Sequence, residues 1–291
     1  MSWKRFALGL GMLLVVGIII FALLYVFNKN VLYDIYDGLK YIKQGIEVKL
    51  SSEYKVPDKT KTYYKNEKNL RIPILLYHEI TEEKPERSVA YMRTTKENFE
   101  KQIKGLLEYG YTVISYDDLI AYDKGEKALP EKVVLIDFDD GYIGNYLYAF
   151  EIVKKYNIPI NIYVVDDLVG TSGYFNWEQA KEMSDSGLVS INSHGKTHIF
   201  YDKEAKETLV EHIEYAHNNI EKHMRKKVTK VFTYPYGAHT KEHLRSLEQA
   251  GFVQNLTNDE INESNTLDLY GLSRIYVMNH YSKYKVLKMI K

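Results

Sequence analysis

No cysteine occurs among the 291 residues. Disulfides and thiolate metal ligands are thereby excluded, so any metal must be held by imidazoles and carboxylates. Net charge is missing too: 39 basic side chains balance 39 acidic ones, which argues against a nucleic-acid partner. No internal repeat or low-complexity tract is present, so a repeat architecture is excluded. Tryptophan is scarce, at 2 residues against 27 tyrosines. Tyrosine offers a flat apolar ring with a polar tip, as a sugar-binding groove needs, although most of these rings must serve the core and surface. Hydrophobic residues make up 45% of the chain, enough for one substantial core with a small appendage.

Charge is also absent from Phe6 to Phe27, a run long enough to cross a hydrocarbon layer that takes about 20 helical residues. Lys4 and Arg5 precede it and favour a cytoplasmic amino end, with Lys29 weakening the asymmetry. A cleaved signal peptide would have a shorter apolar region and a small-residue cleavage site, which Tyr25-Val-Phe-Asn-Lys does not provide. The expectation is a single-pass cell-membrane protein: residues 1–27 as cytoplasmic tip and anchor, 28–70 as a stem with one helix over Val31–Ile46, and 71–291 as an extracytoplasmic catalytic domain.

From Arg71 onward, apolar strands alternate with amphipathic helices, the pattern of parallel βα units. Strands are predicted at Ile72–Tyr77, Tyr111–Ser115, Lys132–Phe138, Ile158–Val165, Leu188–Asn192, Val228–Tyr234 and Leu272–Met278. Helices are predicted at Tyr142–Tyr156, at Lys203–Arg225 and after a capping box of Thr94 with Glu97, where Phe99, Ile103, Leu106 and Leu107 form the buried stripe. The fold class is α/β, a distorted (β/α) barrel of seven or eight strands.

The central stretch is Val133 to Gly141, Val-Val-Leu-Ile-Asp-Phe-Asp-Asp-Gly. An unrelieved apolar run suits a strand buried on both faces, and its acids fall at the carboxyl end, where parallel architectures bind ligands. Adjacent carboxylates repel, so Asp139 and Asp140 call for a cation. Leu188-Val-Ser-Ile-Asn-Ser-His-Gly-Lys-Thr-His sets His194 and His198 past another strand end, where two imidazoles four apart can converge on one ion. His239 and His243 share that spacing, but their charged neighbours near a helix start predict two solvated side chains. A carboxylate with two imidazoles leaves coordination positions open, the mark of a catalytic site. Zinc is the first expectation, with cobalt, nickel or iron as alternatives, and the second aspartate of the pair stays free as a base. Two more strand ends carry His78 and Phe232-Thr-Tyr-Pro-Tyr-Gly, whose Pro and Gly fix a loop.

Together these residues resemble the polysaccharide deacetylases, the NodB-homology or carbohydrate esterase family 4 domain, over roughly Arg71 to Lys291. Phe138-Asp-Asp-Gly is similar to the first family motif and Ser193-His-Gly-Lys-Thr-His to the second. The resemblance implies Asp139 as catalytic base, Asp140, His194 and His198 as ligands of a divalent metal, and the backbone N–H of Tyr236 as oxyanion donor. The third motif departs, with Thr233 where the family's arginine would stand. Its Tyr-Pro-Tyr-Gly form resembles the branch that N-deacetylates poly-β-1,6-N-acetylglucosamine in biofilm matrices. That likeness implies His78 as general acid, with His280 of Met278-Asn-His as the alternative, and a late arginine, Arg274, of unassigned role. The substrate implied is an acetylated polysaccharide, with peptidoglycan or an O-acetylated glycan as alternatives to poly-N-acetylglucosamine. Two further readings are a haloacid-dehalogenase-like phosphatase, from Asp137-Phe-Asp139, and an inactive glycan-binding module.

Overall fold

The computed structural model describes residues 61–83, 92–256 and 260–291. The predicted anchor and the stem before residue 61 lie outside the described residues, and among those described no helix is long and apolar enough to cross a membrane. The central sheet is built from β1 (Ile74–Tyr77), β2 (Thr112–Val113), β3 (Val133–Phe138), β4 (Ile160–Val164), β5 (Val189–Ser193), β6 (Val231–Thr233), β7 (Val253–Asn255) and β8 (Ile275–Tyr276). Every pairing in it is parallel, in the order β7-β6-β5-β4-β3-β1-β8, with β2 joined to the start of β3. The two ends of this path meet. Just ahead of β8, Leu272 bridges in parallel to Asn255, donates to the Gln254 carbonyl and accepts from the Leu256 N–H. The result is the distorted (β/α) barrel.

Alternation along β3 explains the core. Val134, Ile136 and Phe138 pack outward with Phe99, Ile103, Val153 and Ile220 from the helices, whereas Val133 and Leu135 face inward with Ile74, Tyr116, Tyr163, Val231 and Leu272. Successive side chains on a strand point to opposite faces. Continuing that phase puts Asp137 inside the barrel among Tyr116 and Asn161.

The helical layer comprises α1 (Lys96–Glu108), α2 (Tyr116–Asp123), α3 (Phe150–Tyr156), α4 (Trp177–Asp185), α5 (Lys206–Met224), α6 (Lys241–Gln249) and α7 (Lys283–Met289). In α1 the expected stripe of Phe99, Ile103 and Leu106 is buried, but the cap is Thr95, whose side chain accepts from the Asn98 N–H. Pairing of Arg93–Thr95 with Glu79–Thr81 carries the strand through Thr95, so the helix starts at Lys96 and the residue immediately before its first turn is Thr95 rather than Thr94. The helix expected from Tyr142 begins instead as a π-helical turn, Asn145–Ala149, that leads into α3. Strand β7 was not expected, since two of its three residues, Gln254 and Asn255, are polar yet buried. Residues counted with the stem on sequence join this body: Thr62–Tyr63 pairs with Leu129–Pro130, and the N–H of buried Leu70 donates to Ser264 Oγ at 2.7 Å.

Candidate metal centre and active site

The chain leaves β3 through two consecutive left-handed residues, Asp140 at φ +74° and Gly141 at φ +82°. For a non-glycine residue that conformation costs about 1–2 kcal/mol, so the turn at Asp140 is held by its surroundings. A Cβ at Gly141 would lie 3.0 Å from Val164 Cγ1, which leaves glycine as the fitting residue there. This turn brings Asp140 Oδ1 to 3.4 Å from His194 Nε2 and 3.3 Å from His198 Nε2.

His194 follows β5 directly, and Gly195 at φ +89° turns the chain so that His198 returns to the same point. His194 Nδ1 lies 2.9 Å from the Thr233 carbonyl. Because that oxygen can only accept, Nδ1 carries the hydrogen and Nε2 presents its lone pair to Asp140. Burial lowers the His194 pKa against the pull of Asp139 and Asp140, which favours the neutral ring. Burial would raise Asp140, yet the imidazoles beside it hold its carboxyl well below the usual range. Its Oδ1 is buried without a hydrogen-bond partner. A buried carboxylate oxygen without a hydrogen-bond partner, facing the His194 lone pair, is costly unless a cation joins them, and the three ligand atoms lie within 4.8 Å of one another. This donor set fits a divalent metal of the zinc type.

Asp139 has a different partner. Arg274, just before β8 and 1% exposed, donates from Nη1 to Asp139 Oδ1 at 2.7 Å and from Nη2 to Oδ2 at 2.8 Å. Nη2 also reaches Thr233 Oγ1 at 3.2 Å. Thr233 thus stands where the family motif has arginine, and the guanidinium arrives from a strand on the far side of the barrel seam. Burial works to raise the Asp139 pKa, but Arg274, with His194 and His78 beside it, keeps the carboxyl below its ordinary value. The acid is ionised and fixed in orientation.

Asp137 is wholly buried. Its Oδ2 accepts from Tyr116 Oη at 2.9 Å and its Oδ1 from Asn161 Nδ2 at 3.1 Å. Burial pushes its pKa up to about 7, with Arg274 pulling the other way. A phosphatase nucleophile at Asp137 would need access to substrate, which this burial denies.

His78 follows β1, with its ring stacked on Tyr276 at 5.1 Å between centroids. Burial lowers its pKa while the charges of Asp139 and Asp140 raise it, so His78 shares the field of the site. His280 is exposed, packs edge-on against Tyr281 and feels the charge of Lys285. Tyr236 sits at φ +59° within the turn Pro235–Gly237. Its exposed ring meets His198 at 4.5 Å and stacks on Phe200 at 4.0 Å. Across the site Tyr142 stacks on Tyr174 at 5.1 Å, and both rings feel the charge of Asp140. The tyrosine excess was the only sequence signal for these aromatic walls.

The second histidine pair lies elsewhere and is not solvated as expected. His243 is buried on the inner side of α6, with Nε2 3.1 Å from the Glu204 carbonyl, while His239 Nδ1 lies 2.8 Å from the Gly237 carbonyl. Among the described residues, Asp140, His194 and His198 are the one group of three or more such side chains arranged to hold a metal.

The model of the polysaccharide deacetylase family matches residues 126–254. YxkH of Bacillus subtilis (strain 168), which carries the polysaccharide deacetylase name, is 30% identical over 231 residues, covering 79% of this chain and 80% of that protein. The chain belongs to the polysaccharide deacetylase family. A poly-β-1,6-N-acetyl-D-glucosamine N-deacetylase of Staphylococcus epidermidis is 25% identical over 242 residues, covering 74% of this deacetylase chain and 81% of its own. The solved structure of IcaB from Ammonifex degensii superposes with a TM-score of 0.67 at 25% identity, over 76% of this chain and 97% of that one. Asp139, Asp140, His194 and His198 all lie within the matched segment. His78 and Arg274 lie outside it, and only the closed barrel brings them to the deacetylase site.

Proposed function

We propose that this chain is a metal-dependent N-deacetylase of poly-N-acetylglucosamine, anchored in the cell membrane by Phe6–Phe27 with its catalytic domain outside the cytoplasm. The observation that carries the chemistry is the convergence of Asp140, His194 and His198 on one point beside an aspartate that Arg274 holds ionised. The choice of glycan is supported by likeness to the staphylococcal poly-β-1,6-N-acetyl-D-glucosamine N-deacetylases and by the aromatic walls. The anchor rests on the uncharged run behind Lys4 and Arg5.

A divalent ion bound by Asp140, His194 and His198, zinc being our choice, supplies Lewis acidity to an acetyl carbonyl and acidifies a water. Asp139 accepts the proton of the attacking water, and the arginine fork leaves a lone pair on each of its oxygens for that purpose. His78 protonates the departing glucosamine nitrogen, otherwise a very poor leaving group. The backbone N–H of Tyr236 supports the oxyanion. Its ring and that of Phe200 give the sugar an apolar face.

The test is acetate release from a panel of acetylated glycans, with and without chelator. Chelator-sensitive release from poly-N-acetylglucosamine is expected. Release only from peptidoglycan or from O-acetylated glycans would change the substrate, and release from none would leave a binding module. Recovery in the membrane fraction, with the catalytic domain open to external protease, tests the anchor; a soluble form beginning near residue 28 would overturn it.

A further inference from the structure

Asp137 has no part in the chemistry above, yet it sits in the most protected place the barrel offers. Polar groups meet it from three of the elements packed around it. Tyr116 comes from α2, Asn161 from β4, and Asn255 from β7 with Nδ2 3.4 Å from Oδ2. The Asn255 amide also donates to Tyr116 Oη at 2.7 Å and to Tyr163 Oη at 2.8 Å, tying the donors into one network. The charged groups facing it are Arg274, whose Nη1 is 3.7 Å from Oδ2, and Asp139 two residues along its own segment. Arg274 further lies over the Tyr163 ring at 5.7 Å, and its Nε reaches the Leu256 carbonyl at 3.4 Å.

An apolar side chain would fill this position at no electrostatic cost, since Leu135 and Val133 do so one and two repeats of the pleat earlier. The guanidinium instead meets two carboxylates of one segment, hydrogen-bonded to Asp139 and at ion-pair distance from Asp137. We propose that Asp137 is a positioning residue: it holds Arg274 from within the barrel and takes a share of its charge, so that the arginine orients Asp139 without suppressing its capacity to accept a proton. This rests on the deacetylase reading. When Asp137 carries its proton, Arg274 bears on Asp139 alone; when it is ionised, the arginine is divided between two acids.

The test compares the wild-type holoenzyme with Asp137→Asn, which keeps size and shape, across pH 5.5 to 8.5 on the same acetylated oligosaccharide. Because Asp137 loses its proton near pH 7, the two enzymes should differ little at the acid end. Toward pH 8.5 the variant should fall behind in kcat, by about tenfold. A merely structural defect lowers activity by the same factor at every pH, and that constant ratio would overturn the proposal. Tyr116→Phe removes a donor to the ionised carboxylate, so the pH at which wild-type activity rises should move upward in that variant, and an unmoved rise would count equally against it. Metal content should match wild type throughout; loss of metal from Asp137→Asn would place its effect at the ligands and refute the role in positioning Arg274. Absence of acetate release by the wild type itself would instead bring down the functional reading, and this one with it.

Discussion

The chain contains two histidine pairs of identical spacing, His194 with His198 and His239 with His243, and the fold gives them opposite fates. In the first, a backbone carbonyl takes the far nitrogen of His194 while both Nε2 atoms turn to one buried carboxylate oxygen. In the second, the two rings reach different carbonyls, Gly237 and Glu204, and no shared acid lies between them. Spacing only permits convergence. What makes a ligand pair is the group on each side of the ring: an acceptor behind to fix the tautomer, and an acid in front to share the ion.

The sharpest way to break the contrast is to remove one member of the first pair. His194→Ala or His198→Ala should cost well over about 100-fold in metal affinity, more than the loss of a group that merely hydrogen-bonds a ligand, and abolish deacetylation; metal analysis after dialysis reads it directly. Asp139→Asn sharpens the contrast from the acid side. Metal should remain bound, because Asp140 and both imidazoles are intact, while turnover falls by about 10²–10⁴-fold as the proton acceptor is lost. A smaller and conditional loss is expected for His78→Ala: strong on an N-acetyl sugar and slight on an activated acetate ester whose alcohol leaves unaided. His280→Ala should be mild on both substrates, and a leaving-group-dependent defect there instead would transfer the acid role to His280. At the low end, His243→Ala should leave metal content and kcat unchanged but lower unfolding stability by about 1–3 kcal/mol, since it empties a buried hydrogen-bonded position. His239→Ala should fall within about 0.5 kcal/mol of wild type by thermal denaturation.

The cluster of Asp140, His194 and His198, with Asp139 beside it, was legible because a buried strand announces itself as an apolar run and these residues stand just beyond such runs. The closing strand β7 was not, since Gln254 bonds to Tyr234 and the Leu244 carbonyl on the helix side while Asn255 donates to Tyr163 on the inner side, and two buried polar residues in three erase the expected apolar run. The arginine clamp was beyond reach for a different reason: Arg274 and Asp139 are 135 residues apart, and no local periodicity encodes a contact made between the two segments that flank β1. The missing motif arginine at Thr233 hinted that something must replace it without saying what. The cap at Thr95 rather than Thr94, and the burial of His243, were lost to tertiary pairing that overrides local propensity.

The seam between Leu272 and Gln254 has a consequence for how the molecule comes to life. During synthesis Asp137 and Asp139 emerge long before Arg274, and β8 must still insert beside β1, pairing Ile275 with Leu75. Contacts of such sequence separation form slowly, because loop closure must precede any reward. Until they form, the nascent barrel has an open edge at β1 and two acids without their cation. A shortened chain ending before Leu272 would therefore carry Asp139, Asp140, His194 and His198, yet have neither a closed sheet nor a clamped aspartate. Acquisition of activity should coincide with the last strand's arrival, which makes the enzyme silent while it is still being made.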